Sequence, residues 1–208
     1  MKSVHEIQEE FKRSEVRDWK TLCEQYRQDK RKGVASLVAR YEKKLLAIEE
    51  EKKRMEQMFA YEREYDHLGY VCGIDEAGRG PLAGSVVAGA VILPGNCDIL
   101  YLNDSKKLSA KKREELYEVI QREAVAVGVG YASPQRIDEI NILQATYEAM
   151  REAVGKLGVK PQILLNDAVT IPDLPYPQVP IIKGDGKSAS IAAASIVAKV
   201  TRDRLMME

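Results

Sequence analysis

Three apolar runs in this sequence end in acids: GIDE at Asp75 and Glu76, LLND at Asp167, and IIKGD at Asp185. A carboxylate beside a fully apolar strand is costly unless a cation or hydrogen-bond donors satisfy it. Strand ends are also where an α/β sheet exposes side chains to a crevice. Three such ends brought together would form a cluster whose mutual repulsion a hard cation relieves. Oxygen ligands without His or Cys suit Mg²⁺ or Mn²⁺. A lone Asp after a strand reads as a cap or turn former, but the same design at three strand ends points to a metal-binding cluster. Successive strand side chains face opposite ways. Asp75 and Glu76 therefore share a site only if the chain turns after Asp75, a turn that Gly78-Arg79-Gly80 would supply.

Two other motifs carry less chemistry. GDGKS suggests a phosphate loop, but that motif needs glycine five residues before Gly186, and Ile181 stands there. SASIAAASIVAKV is small and apolar on most sides and reads as a buried packing helix. Ser195 within it reads as a core or hydrogen-bonded residue rather than a nucleophile.

The elements that must position the acids are legible from residue 69 onward. YVCGID is a short apolar strand, and SVVAGAVIL, bounded by Gly84 and Pro94, reads as its hairpin partner. A helix capped by Ser109 runs to about residue 123, and AVAVGVGYA is a third strand. SPQRIDEIN opens with a Ser cap and Pro at the first helical position, and a longer helix covers about 142–157. QILLND and VPIIKGD are further strands, and Ser188 caps a helix to the chain end. Two hairpin strands followed by alternating helices and strands predict an α/β domain with a mixed sheet.

Residues 1–66 have a different texture, with a single glycine, no proline and dense charge of both signs. Leu37, Tyr41, Leu45, Ile48, Met55, Met58 and Phe59 form an interrupted apolar stripe at helical spacing. Two or three helices are expected, with a break around Lys32-Gly33. Mixed charge of this kind suits a solvated face. The predicted organisation is a charged helical N-terminal extension over 1–66 and an α/β domain over 67–208.

The 208 residues carry 32 basic and 32 acidic side chains, so net charge alone indicates no polyanionic partner. A neutral chain can still cluster its basic groups locally. The cysteines, Cys23, Cys72 and Cys97, are scattered and odd in number, which argues against a disulfide framework and suits the cytoplasm. The first residues have no signal-peptide pattern, and no apolar run is long enough to span a bilayer.

DEAGRGPLAGSVVAGAV and the following NDSKKLSAKKREELY resemble the bacterial ribonuclease HII family, and KGDGKSASIAAASIVAKVTRD is similar to its final helix and lead-in. The resemblance implies a ribonuclease H-like fold: a mixed central sheet flanked by helices, with a helical N-terminal extension. It implies a metal-dependent endonuclease for the RNA strand of RNA–DNA hybrids and for ribonucleotides embedded in duplex DNA, leaving 5′-phosphate and 3′-hydroxyl ends. Such an activity belongs with ribonucleotide excision in DNA replication and repair. By the same resemblance Asp75, Glu76, Asp167 and Asp185 hold two divalent ions, Mg²⁺ or Mn²⁺. Gly78, Arg79 and Gly80 match the loop that reads the ribose 2′-hydroxyl, and Lys106 and Lys183 match positions near the substrate backbone. Family members continue past the RDRLM helix to a tyrosine that stacks at the ribonucleotide junction. This sequence stops at Glu208 in mid-helix, so the resemblance implies a C-terminally truncated chain lacking that residue.

Overall fold

In the computed structural model, which describes residues 2–80 and 83–207, the chain divides into two compact units, 1–54 and 55–208. Pro81 and Leu82 of the glycine-rich motif lie outside the described residues.

The first unit is helical. It contains α1 (Val4–Arg13), α2 (Trp19–Tyr26) and most of α3 (Lys32–Met58). Ser3 and Glu6 form a capping box on α1, each satisfying a backbone donor of the other's end. Ile7, Phe11, Leu22, Cys23, Val34, Leu37, Val38 and Tyr41 form the unit's core. The helix break falls over residues 27–31, just ahead of Lys32-Gly33, and Gly33 sits inside the first turn of α3. An Asp29–Arg31 ion pair and the Asp29 carboxylate, accepting from the Arg31 backbone, stabilise that break.

The second unit contains the end of α3, α4 (Ala60–Tyr65) and a mixed sheet with strand order β3-β2-β1-β4-β5. The strands are β1 (Val71–Ala77), β2 (Val86–Ile92), β3 (Ala126–Ala132), β4 (Ile163–Asp167) and β5 (Gln178–Ile181). β1, β2 and β3 form an antiparallel meander, whereas β4 and β5 run parallel to β1. Helices α5 (Ala110–Glu123), α6 (Pro134–Ile140), α7 (Ile142–Gly155) and α8 (Ala189–Leu205) complete it. Ser109, Ser133 and Ser188 cap α5, α6 and α8 through their side-chain oxygens.

Alternation along β2 builds the layers. Val91 faces a core made with Leu116 and Ile120 of α5 and Ala193, Ile196 and Val197 of α8. Ala88, Ala90 and Ile92 face the opposite core, with Ala149, Met150 and Ala153 of α7. Helices therefore cover both sheet faces, and β2 is buried along its whole length.

Helix α8 lies unusually close to the sheet. A Cβ on Gly73 of β1 would fall 2.1 Å from the Ser190 carbonyl carbon, and one on Gly89 of β2 2.5 Å from the Ala194 carbonyl oxygen. Glycines in β1 and β2 together with Ala and Ser on α8 let the two backbones approach. Among the described residues, no helix is long and apolar enough to cross a membrane.

Candidate active site

Asp75 is two residues before the end of β1, opposite Gly89 of β2. Asp167 is the last residue of β4, the parallel neighbour of β1. Asp185 lies in a short helical turn, Gly184–Gly186, between β5 and α8. One carboxylate oxygen from each of these three residues lies within 4.8 Å of the others.

Backbone geometry holds two of them in place. Ala168 and Lys183, next to Asp167 and two residues before Asp185, both adopt positive φ, 58° in each case. The Ala168 N–H donates to the Ile181 carbonyl at 3.1 Å. The Gly184 N–H donates to Asp167 Oδ1 at 2.7 Å. The left-handed turns bring the two acid-bearing segments face to face, and these hydrogen bonds lock them.

Asp75 is 5% exposed. Burial pushes its carboxyl well above the usual range, and the neighbouring charges of Glu76 and Asp167 push the same way. A hydrogen bond with Ser195 and the Glu76 N–H, 2.8 Å from Oδ1, oppose this. Burial likewise raises Asp185, followed by the charges of Asp104 and Asp167. Carboxylates forced together and lifted this way are poorly satisfied by the protein alone. Their hard oxygen donors, partly buried and mutually repelling, fit a divalent cation.

Glu76 takes a different place from the one expected by a turn after Asp75. β1 continues through Ala77, so Glu76 follows Asp75 on an extended backbone and pairs with Ala88. It is half-buried, and its Oε1 accepts from Arg79 Nη1 at 3.2 Å. Burial raises its carboxyl, Arg79 lowers it, and the Asp167 charge raises it, so Glu76 borders the aspartate cluster without the turn that the sequence reading required.

The glycine-rich loop turns beyond β1. Gly78 has φ +111°, and a Cβ there would meet the Ser85 carbonyl at 2.5 Å and Arg202 Nε at 2.7 Å. A side chain is excluded both by backbone conformation and by space. Gly80 is open: among the described residues nothing lies within 4 Å of a Cβ there. Arg79 and Lys183 are exposed, as is Lys106, whose charge lowers both Glu76 and Asp185.

Four further residues contribute, of which the sequence singled out only Ser195, as a core or hydrogen-bonded residue. The Ser105 and Ser195 hydroxyls are 3.0 Å apart in a buried pair that links the NDSKK segment to α8 beside Asp75. Polar residues at fully buried positions of an apolar helix are a usable signal, since each must find a partner. Arg202 is buried under the glycine-rich loop and donates to the carbonyls of Ser85 (2.9 Å) and Ala83 (3.1 Å). Its position in a charged final turn gave no such signal. Asp104, which the sequence did not single out, lies beside Asp185 and accepts from the Lys106 N–H.

A five-stranded mixed sheet of this order, flanked by helices and bringing together aspartates from two neighbouring strands and from the turn after a third, defines a ribonuclease H-like nuclease fold. The solved structure of ribonuclease H2 from Pyrococcus horikoshii has the same fold, with a TM-score of 0.59 and 31% identity over 66% of this chain and 74% of that one. The ribonuclease HII family model matches residues 72–208, and the ribonuclease HII N-terminal domain model matches residues 3–66. A ribonuclease HII from Lachnoclostridium phytofermentans is 62% identical over 185 residues, covering 89% of this chain and 73% of that protein. One from Clostridioides difficile is 50% identical over 209 residues, covering 100% and 82%. The chain belongs to the ribonuclease HII family and is an endonuclease of the ribonuclease H class.

Proposed function

We propose that the chain hydrolyses the RNA strand of RNA–DNA hybrids and cuts at ribonucleotides embedded in duplex DNA, using Asp75, Glu76, Asp167 and Asp185 to hold two divalent ions, Mg²⁺ or Mn²⁺. The observation that carries this reading is the convergence of three aspartate oxygens within 4.8 Å, beside a half-buried glutamate. When bound, such ions lower the pKa of an attacking water and stabilise the leaving 3′ oxygen. The chain's own contribution is placement. Asp75 is the most buried of the group, while Asp167 and Asp185 are fixed to each other through Gly184.

Around the carboxylates the exposed cations Arg79, Lys106 and Lys183 offer attraction to the phosphate backbone without reading bases. Gly78 and Gly80 let the loop backbone come close to a sugar, and a 2′-hydroxyl is what separates RNA from DNA there. The free thiols of Cys23, Cys72 and Cys97 suit a cytoplasmic setting.

The test is a DNA duplex holding one ribonucleotide, incubated with Mg²⁺, with Mn²⁺ or with EDTA. Metal-dependent cleavage at the ribonucleotide, leaving a 3′-hydroxyl, supports the reading. Cleavage indifferent to EDTA, or equal on an all-DNA duplex, contradicts it.

A further inference from the structure

We propose that Glu62 of α4 is a positioning residue for the carboxylate cluster, acting through the first turn of α8. The proposal rests on the reading of Asp75, Asp167 and Asp185 as a metal site.

Glu62 Oε1 accepts from Ser188 Oγ at 2.6 Å, Ser190 N at 2.8 Å and Ser190 Oγ at 2.6 Å. Its Oε2 is buried and has no hydrogen-bond partner among the described residues. A surface carboxylate in water gains little from a particular geometry, whereas this one is committed to three donors at one helix start. The negative charge at the N-terminal end of α8 is also favoured by the helix dipole.

What that helix start touches gives Glu62 its reach. Ser188 is the N-cap of α8, and its N–H donates to the Gly184 carbonyl at 2.8 Å, closing the turn that carries Asp185. The first turn also presses on Gly184 itself: a Cβ there would fall 2.6 Å from Ile191 Cδ1. Gly184 in turn donates to Asp167. On its other side, Ser190 packs directly against Gly73, two residues before Asp75. The two serines that Glu62 holds therefore abut the segments bearing Asp185 and Asp75, and reach Asp167 through Gly184. Deleting its carboxylate removes the acceptor shared by three donors at this junction, leaving the two hydroxyls to each other at 3.2 Å, and frees the first turn to shift.

The test uses the full chain with Glu62→Ala and Glu62→Gln, titrated with Mn²⁺ alone by calorimetry, with circular dichroism and hybrid-cleavage kinetics alongside. Because partners behind metal ligands typically contribute 10- to 100-fold in affinity, Glu62→Ala should weaken Mn²⁺ binding by about 10-fold or more. Its kcat should fall with KM for hybrid unchanged and the far-ultraviolet spectrum preserved. Glu62→Gln, which keeps an acceptor oxygen, should recover most of the affinity. If Glu62→Ala does not fold, Ser190→Ala, which deletes only one of the hydroxyls, should still weaken Mn²⁺ binding measurably. Wild-type Mn²⁺ affinity and kcat in folded variants, with only the melting temperature lowered, would overturn the proposal while leaving the metal site standing. A wild-type chain that binds no Mn²⁺ would overturn the metal site and this inference together.

Discussion

The Gly184 N–H points at Asp167 Oδ1 from 2.7 Å, joining the last residue of β4 to the turn that carries Asp185. Two acidic segments that would repel each other are tied by a backbone donor. The tie depends on Lys183, whose φ of 58° and ψ of 45° turn the chain toward Asp167.

That strain is testable. An L-residue in the left-handed region costs about 1–2 kcal/mol, partly offset for glycine by its greater unfolded-state freedom. Lys183→Gly should therefore leave stability unchanged or raise it by up to about 1 kcal/mol. Hybrid binding should nonetheless weaken, with the salt slope of log K falling by about one. Denaturant melts and binding at several salt concentrations check both, and an unchanged salt slope would remove Lys183 from the interface.

The close approach of β1 to α8 predicts a severe packing defect. In Gly73→Ala the new methyl would sit 2.1 Å from backbone of Ser190, which cannot swing aside as a side chain can. Overpacking typically costs about 1–3 kcal/mol and occasionally more, and a clash with backbone belongs at the upper end. Denaturant unfolding reads it, and a loss below about 1 kcal/mol would mean that the helix moves freely over the sheet.

In the unfolded chain Asp75 ionises in the ordinary carboxylate range, whereas in the folded, metal-free chain burial and then the charge of Glu76 hold its pKa well above it. Between those two values the native state binds the extra proton, so stability falls as pH rises through that window. Glu76 and Asp185 shift in the same direction. Asp75→Asn abolishes its share of the penalty. In EDTA, the variant should match wild type near pH ~4 and melt several degrees higher near pH ~7. Thermal melts across pH measure this, and a gap that does not widen with pH contradicts it.

Metal should reverse the same penalty. Native-state binding stabilises by about 2.7 kcal/mol at a hundredfold excess over Kd, roughly 5–10 °C for a chain of this size. Mn²⁺ should raise the melting temperature accordingly, and Asp185→Asn should shrink the rise. An equal rise in a variant lacking all four carboxylates would place the metal elsewhere.

Much of this was legible in the sequence because local chemistry dictated it. Ser109, Ser133 and Ser188 were recognisable as caps from side-chain oxygens placed ahead of apolar periodicity, and all three act so. The strands carrying Asp75 and Asp167 stood out as short apolar runs, and the mixed sheet followed from their alternation with helices. What stayed hidden was set by tertiary contact. The extension of β1 through Ala77 depends on pairing with Val87, which overrides the breaking tendency of the acids. Ser195 meets Ser105 across 90 residues, and Glu62 meets Ser190 across 128, distances that no local pattern encodes. The helix break ahead of Lys32 is stabilised by Asp29 and Arg31 rather than by the glycine that seemed to mark it.

The most direct measurement is cleavage of an RNA–DNA hybrid by the wild-type chain and by Asp75→Asn, each with Mg²⁺, with Mn²⁺ and with EDTA. Asp75 is the most buried carboxylate of the cluster, and loss of such a ligand removes several kcal/mol of transition-state stabilisation, roughly 10²-fold in rate or more. The account predicts RNA-strand cleavage by wild type with either ion, none in EDTA, and at least that loss in a folded Asp75→Asn. Cleavage that persists in EDTA, or an Asp75→Asn rate close to wild type, would contradict it.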